Sequence, residues 1–182
     1  MVDALADARI GETYNFYAGG ERAPLLRARL AAYLDQRADA RLLLVGEAPG
    51  YRGTRVSGIP LTSERQLTDS GPAEATATIV HRVLDELGLA EHVLLWNVVP
   101  THPHRPGEPD TNRPPTPAEV GAARPFLDAL AHGRRVIAVG RLAERVLGAP
   151  AVRHPSHGGA AAFRAGLMEY VRADRRRRLR RA

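Results

Sequence analysis

The chain contains no cysteine. Disulfides, thiolate nucleophiles, cysteine-ligated zinc and iron–sulfur clusters are therefore excluded. Lysine is absent as well. A P-loop needs a Lys-Ser/Thr pair after its glycines, so the Gly-rich stretch from Gly46 to Gly53 is a poor phosphate cradle of that kind, and it does not complete a G-x-G-x-x-G pattern either. No apolar run approaches the roughly 20 residues that span a bilayer. The acidic, alanine-rich start of the chain lacks the organisation of a secretion signal. These absences lead to the expectation of a cytoplasmic protein with no membrane partner.

What is present fits one domain. The chain has 182 residues, 44% hydrophobic and 25% charged, which is the composition of a globular protein with a real core. The formal net charge of +6 suggests a polyanionic partner, but its distribution is uneven. Residues 172–182 hold seven arginines against one aspartate, which accounts for the whole of it. A domain over 1–171 is thus balanced, and 172–182 is an arginine-rich tail. Such a tail either holds phosphates by counterion release or is a solvated helix end.

Apolar periodicity alternates between helix and strand. "APLLRARLAAYLDQRA" sets Leu25, Leu26, Leu30, Tyr33 and Leu34 at helical spacing, and "RLLLVG" follows as a short continuous apolar strand. "AEATATIVHRVLDELGL" reads as a helix with Ile79, Val80, Val83, Leu84 and Leu87 inward and Gly88 near its end. "HVLLWNVVP" is a second strand, and Thr116 and Pro117 open the next helix as cap and first residue. "RRVIAVG" is a third strand, "RLAERVLG" a short helix, and "AVRHPS" a short fourth strand before a last helix from about Ala160. Short strands joined by helical crossovers imply a parallel sheet covered on both faces. The proline-rich stretch from Pro100 to Pro115 is long enough to be a functional surface loop.

Three strands end in polar groups that a sheet does not need: Gly46-Glu47, Asn97, and His154-Pro155-Ser156. Each has an ordinary reading: a solvated loop carboxylate, an asparagine bonded to its own backbone, a turn histidine. Parallel strands share one direction, so these ends converge on one rim, where open α/β sheets bind ligands. That convergence points to a site.

"GEAPG" after the first strand, "WNVVP" after the second and "HPSHGG" near the C-terminus resemble, in order and spacing, the motifs of the uracil-DNA glycosylase superfamily. "VGRLAERVLG" adds to the likeness, which covers roughly residues 41 to 170. The resemblance implies a three-layer α/β/α fold with a four-stranded parallel sheet. It implies a monofunctional DNA glycosylase of base excision repair, working as a monomer without metal or other cofactor on DNA that carries a damaged base, uracil first. A non-catalytic nucleic-acid-binding relative is the alternative.

By the same resemblance, Glu47 and His154 are the catalytic candidates. Gly46, Ala48, Pro49, Gly50, Tyr51, Leu61 and Asn97 would line the base pocket, and Ser156, His157, Gly158 and Arg113 would meet DNA. The residue types suit the chemistry. A base in a duplex must be flipped out before a pocket reads it. Glycosidic cleavage builds positive charge on the sugar, which a carboxylate stabilises, and negative charge on the base, which a histidine N–H stabilises. An asparagine offers an acceptor to uracil N3–H and a donor to O4, the reverse of what cytosine needs. "GEAPG" is most like the iron–sulfur branch, yet this chain has no cysteine and is expected to be cluster-free. Ala48 stands where the best-known branch has Asp, and Gly50 where it has a Tyr that blocks the thymine methyl. Leu61 stands where an aromatic ring usually stacks on the base, with Tyr51 as a substitute platform.

Overall fold

Four short runs, β1 (Leu42–Gly46), β2 (Val93–Asn97), β3 (Arg135–Val139) and β4 (Ala151–Val152), pair in parallel in the order β2–β1–β3–β4 in the computed structural model of the chain. Every β2 residue is buried, as are Leu43 to Gly46 of β1. A sheet wet on one side would show alternation, so this one is covered on both faces, as the sequence implied. Residues 1–179 are described. Residues 180–182 and the side chains at 174, 175 and 177–179 lie outside the described residues, and with them most of the arginine-rich tail.

Eight helices are described around the sheet: α1 (Val2–Asp7), α2 (Ala23–Gln36), α3 (Thr54–Ser57), α4 (Glu64–Thr68), α5 (Ala75–Glu86), α6 (Pro117–Ala131), α7 (Arg141–Leu147) and α8 (Ala160–Leu179). The domain boundary expected at 171 falls inside α8, which is helical throughout that range. By the right-handed rule for parallel crossovers, the strand order β2–β1–β3–β4 puts α5 on one face and α6 and α7 on the other, which makes three layers. Trp96, Leu44, Ile137, Phe163 and Leu167 are among the fully buried side chains of the core. Among the described residues no helix is long and apolar enough to cross a membrane.

Local chemistry explains most boundaries. Thr116 accepts a hydrogen bond from Glu119 N–H at 3.2 Å, and Glu119 Oε2 accepts from Thr116 N–H at 2.8 Å, a reciprocal cap with Pro117 in the first turn. Gly88, at φ +64°, takes the left-handed turn that stops α5. The inward face of α2 is Ala23, Leu26, Leu30 and Tyr33. Leu25, adjacent to Leu26 in the sequence, is 46% exposed because it lies off that row. The Tyr33 hydroxyl accepts from Leu95 N–H at 2.7 Å and so closes an open rung of the edge strand β2. Strand β2 ends at Asn97, where the sequence reading placed it, whereas β4 stops at Val152, short of His154, because its ladder pairing ends at Val139.

The proline-rich loop is anchored by an ion pair. Arg113 donates to both oxygens of Glu119, at 2.8 and 2.6 Å, and Glu119 is 2% exposed. The Arg113 hydrogen bonds hold the Glu119 carboxyl below the usual carboxylate range, against the opposing effect of burial. A carboxyl with a depressed folded pKa contributes stability that is present above its unfolded value and lost as pH falls through the folded one. Arg113→Ala is expected to cost about 3–5 kcal/mol at neutral pH, because it strands a buried charge. Glu119→Gln is expected to flatten the acid limb of stability. Thermal denaturation between neutral and acid pH checks both; equal Tm loss for the parent and Glu119→Gln on acidification would refute this role.

Candidate active site

The chain runs from β1 to β2 on one side and then to β3 on the other, so the sheet has its switch point between the carboxyl ends of β1 and β3. The register sets Gly46 beside Asn97. A Cβ on Gly46 would lie 2.9 Å from Asn97 Oδ1 and 3.0 Å from Leu61 Cδ2. Glycine at this position lets both side chains close over the strand end. Beyond the ladder, Val98 N–H donates to Gly46 O at 2.9 Å and Val99 N–H to Glu47 O at 3.2 Å. The Glu47 backbone is thereby held while its side chain stays half-buried. Burial pushes the Glu47 carboxyl above the usual range, and the positive charge of Arg145 on α7 opposes this.

Asn97 is 1% exposed, and neither its Nδ2 nor its Oδ1 has a hydrogen-bond partner. Each unsatisfied buried group costs about 1–3 kcal/mol. The only other such atoms among the described residues are Arg37 Nε and Trp96 Nε1, so Asn97 alone leaves both a donor and an acceptor open. Beside it, Leu61 sits at φ +51°, a left-handed conformation that costs a non-glycine residue on the order of 1–3 kcal/mol. Its N–H donates to Thr54 Oγ1 at 3.1 Å, and His81 Nε2 lies 2.9 Å from Thr62 Oγ1. These contacts hold the strained segment against Asn97.

His154 follows β4 in a turn that two glycines make possible. A Cβ on Gly140 would lie 3.2 Å from His154 Cβ, and one on Gly159 would overlap the His154 carbonyl. His154 Nδ1 lies 3.2 Å from Ser156 N–H and 2.7 Å from Ser156 Oγ. A backbone N–H can only donate, so Nδ1 is an acceptor and the ring proton sits on Nε2. Burial lowers the His154 pKa, and the neighbouring His157 and Arg153 lower it further. The ring is a neutral donor through Nε2.

The remaining candidates divide. Pro49 is buried; Ala48, Gly50 and Tyr51 are half-buried in the turn after β1. The Tyr51 ring carries the Arg52 guanidinium at 5.2 Å from its centroid, and Tyr51 N–H donates to Asn112 Oδ1 at 3.1 Å. Ser156 is spent on His154, while His157 and Gly158 are exposed, at φ +51° and +76°. Arg113 lies apart from this group, its guanidinium bound to Glu119 and to the carbonyls of His104 and Pro114.

Sequence reasoning missed Glu74. Its carboxylate lies against the turn, where a Cβ on Gly53 would overlap it and one on Gly50 would come within 3.5 Å of Oε1. Burial pushes its pKa up. Nothing in the sequence marks this glutamate, since its position depends on how α5 packs beside the turn. Among the described residues no group of His, Asp and Glu is arranged to hold a metal ion.

The carboxyl ends of the parallel strands, the rim at which open α/β sheets bind ligands, thus carry the unpartnered amide of Asn97 beside Gly46. The family is defined by sequence: the model of the uracil DNA glycosylase superfamily matches residues 34–173, and the chain belongs to that superfamily. The crystal structure of wild-type Pedobacter heparinus SMUG2 shares the fold, with a TM-score of 0.68 over 100% of this chain and 97% of that one, at 16% identity. No curated protein matches the sequence.

A buried amide with no partner carries a desolvation cost that no hydrogen bond offsets. Asn97→Leu, which replaces two unsatisfied polar atoms by a similar apolar shape, is expected to leave Tm unchanged or raise it. A fall of several degrees on thermal denaturation would mean that the amide is a structural partner after all.

Proposed function

We propose that the protein is a monofunctional DNA glycosylase that hydrolyses the N-glycosidic bond of uracil, or of a related deaminated base, in DNA. The unpartnered amide of Asn97 carries this reading. Its Oδ1 accepts from uracil N3–H and its Nδ2 donates to O4; cytosine, with an acceptor at N3 and a donor amine at C4, leaves both mismatched. His154 Nε2–H donates to O2. As the bond from C1′ to N1 breaks, its electron pair goes to the base, and this hydrogen bond strengthens with the growing charge. The Glu47 carboxylate faces the sugar cation and takes a proton from the water that adds to C1′. The products are the free base and an abasic site.

The strand carrying the base would pass along Ser156, His157 and Gly158, with Leu61 and Tyr51 bounding the pocket. The arginine-rich tail would add phosphate contacts. The reading carries with it a monomer that acts in the cytoplasm without a cofactor.

Incubation with labelled oligonucleotides containing uracil, hypoxanthine or xanthine, followed by cleavage at abasic sites, tests the proposal. Uracil is expected to be excised with EDTA present. His154→Ala should lower the single-turnover rate by about 10²–10³, the scale for losing one donor to a developing anion. Glu47→Gln should slow cleavage with little change in binding, and Asn97→Asp should blur base discrimination. The chemistry needs Glu47 ionised and His154 neutral. The rate should therefore rise with pH through the raised Glu47 pKa, and Glu47→Gln should remove that limb. Tight DNA binding with no excision from any damaged strand would favour the non-catalytic relative instead.

A further inference from the structure

The segment after β2 runs back along the turn after β1 and holds it rung by rung. Val98 and Val99 N–H groups take the carbonyls of Gly46 and Glu47. The next carbonyl held, that of Pro49, lies 2.8 Å from Nδ1 of His102, whose ring is completely buried. Further on, Asn112 Oδ1 takes Tyr51 N–H. His102 is itself fixed by a reciprocal backbone pair with Tyr14, at 2.8 and 3.0 Å. A side chain stands where a backbone rung would otherwise be.

The other ring nitrogen, Nε2, lies 3.1 Å from Pro109 O, an oxygen that already accepts from Arg55 Nη1 at 2.5 Å. A neutral imidazole has one N–H and two carbonyls to serve. Burial disfavours the imidazolium; the two carbonyls favour it, and the neighbouring Arg55 and His104 oppose it again. Asp110, paired with Arg55 at 2.7 Å, is the acidic group of this cluster. Pro109 O is satisfied without His102, and the Pro49 contact is the shorter, so the proton belongs on Nδ1.

We propose that His102 is a positioning residue of the glycosylase site, whose Nδ1–H fixes the Pro49 carbonyl and with it the backbone from Glu47 to Gly50 that aims the Glu47 carboxylate. The role rests on the glycosylase reading above.

Three variants separate the two nitrogens. In His102→Asn the amide nitrogen falls where Nδ1 was, in His102→Gln where Nε2 was, and His102→Ala has neither. All three lose a packed ring, so Tm should fall in each. Single-turnover excision at saturating enzyme should drop about 10²-fold in His102→Ala and His102→Gln, the scale of a small misplacement at a reacting centre. His102→Asn should recover most of that loss. Equal losses in the Asn and Gln variants, rates that follow Tm, or a parent rate in His102→Ala would overturn the role. Nitrogen-15 spectra of the parent protein should show protonated Nδ1 and bare Nε2 at His102; the opposite tautomer overturns it as well. A parent that excises no base sinks the glycosylase reading and this role together. Excision by the parent with equal Asn and Gln losses sinks only the role of His102.

Discussion

The parallel pairing of Gly46 with Asn97 governs the site, because it decides which side chains meet above the sheet. Side chains alternate along a strand, so a slip of one residue would send Asn97 to the other face and bring Trp96 to the strand end. With the register as it is, the missing Cβ of Gly46 leaves room for Asn97 and Leu61 at one point. The same register starts the run of hydrogen bonds that continues through Val98, Val99 and His102 along the turn. Placement of Glu47 is a consequence of that run.

Unfavourable features collect at this end of the sheet. The Asn97 amide lacks partners, Leu61 and His157 hold positive φ, and the carboxyls of Glu47 and Glu74 are pushed up by desolvation while His154 is pushed down. All three titratable shifts favour the neutral form, as expected where water is displaced by protein. Strain of this kind persists only where the surrounding fold over-determines it. Here the determinants are a sheet buried on both faces and a turn held by its neighbours' backbone.

The proline-rich loop shows the opposite character, with its polar groups well matched. Arg113 pairs with Glu119, Glu119 also caps α6, and Arg55 reaches both the Pro109 carbonyl and Asp110. A loop with so many prolines has few backbone N–H groups to give, so side chains supply the fixings. That division explains why Arg113 is bound to Glu119 and to two loop carbonyls.

Local sequence determined the strands, the cap at Thr116 and the stop at Gly88, because apolar period and capping chemistry act within a few residues. It also determined that Glu47, Asn97 and His154 stand at strand ends, since strand direction in a parallel sheet is common to all. The short helices α1, α3 and α4 were not legible; pieces of four to six residues take their stability from packing rather than from propensity. Only the tertiary structure decided that Asn97 is left without partners, that Leu61 is held in a left-handed conformation, and that Glu74 and His102 reach the turn. Each of those depends on contacts between segments far apart in the chain, and burial, which sets the cost of a polar group, is a property of the packed molecule and not of any stretch of residues.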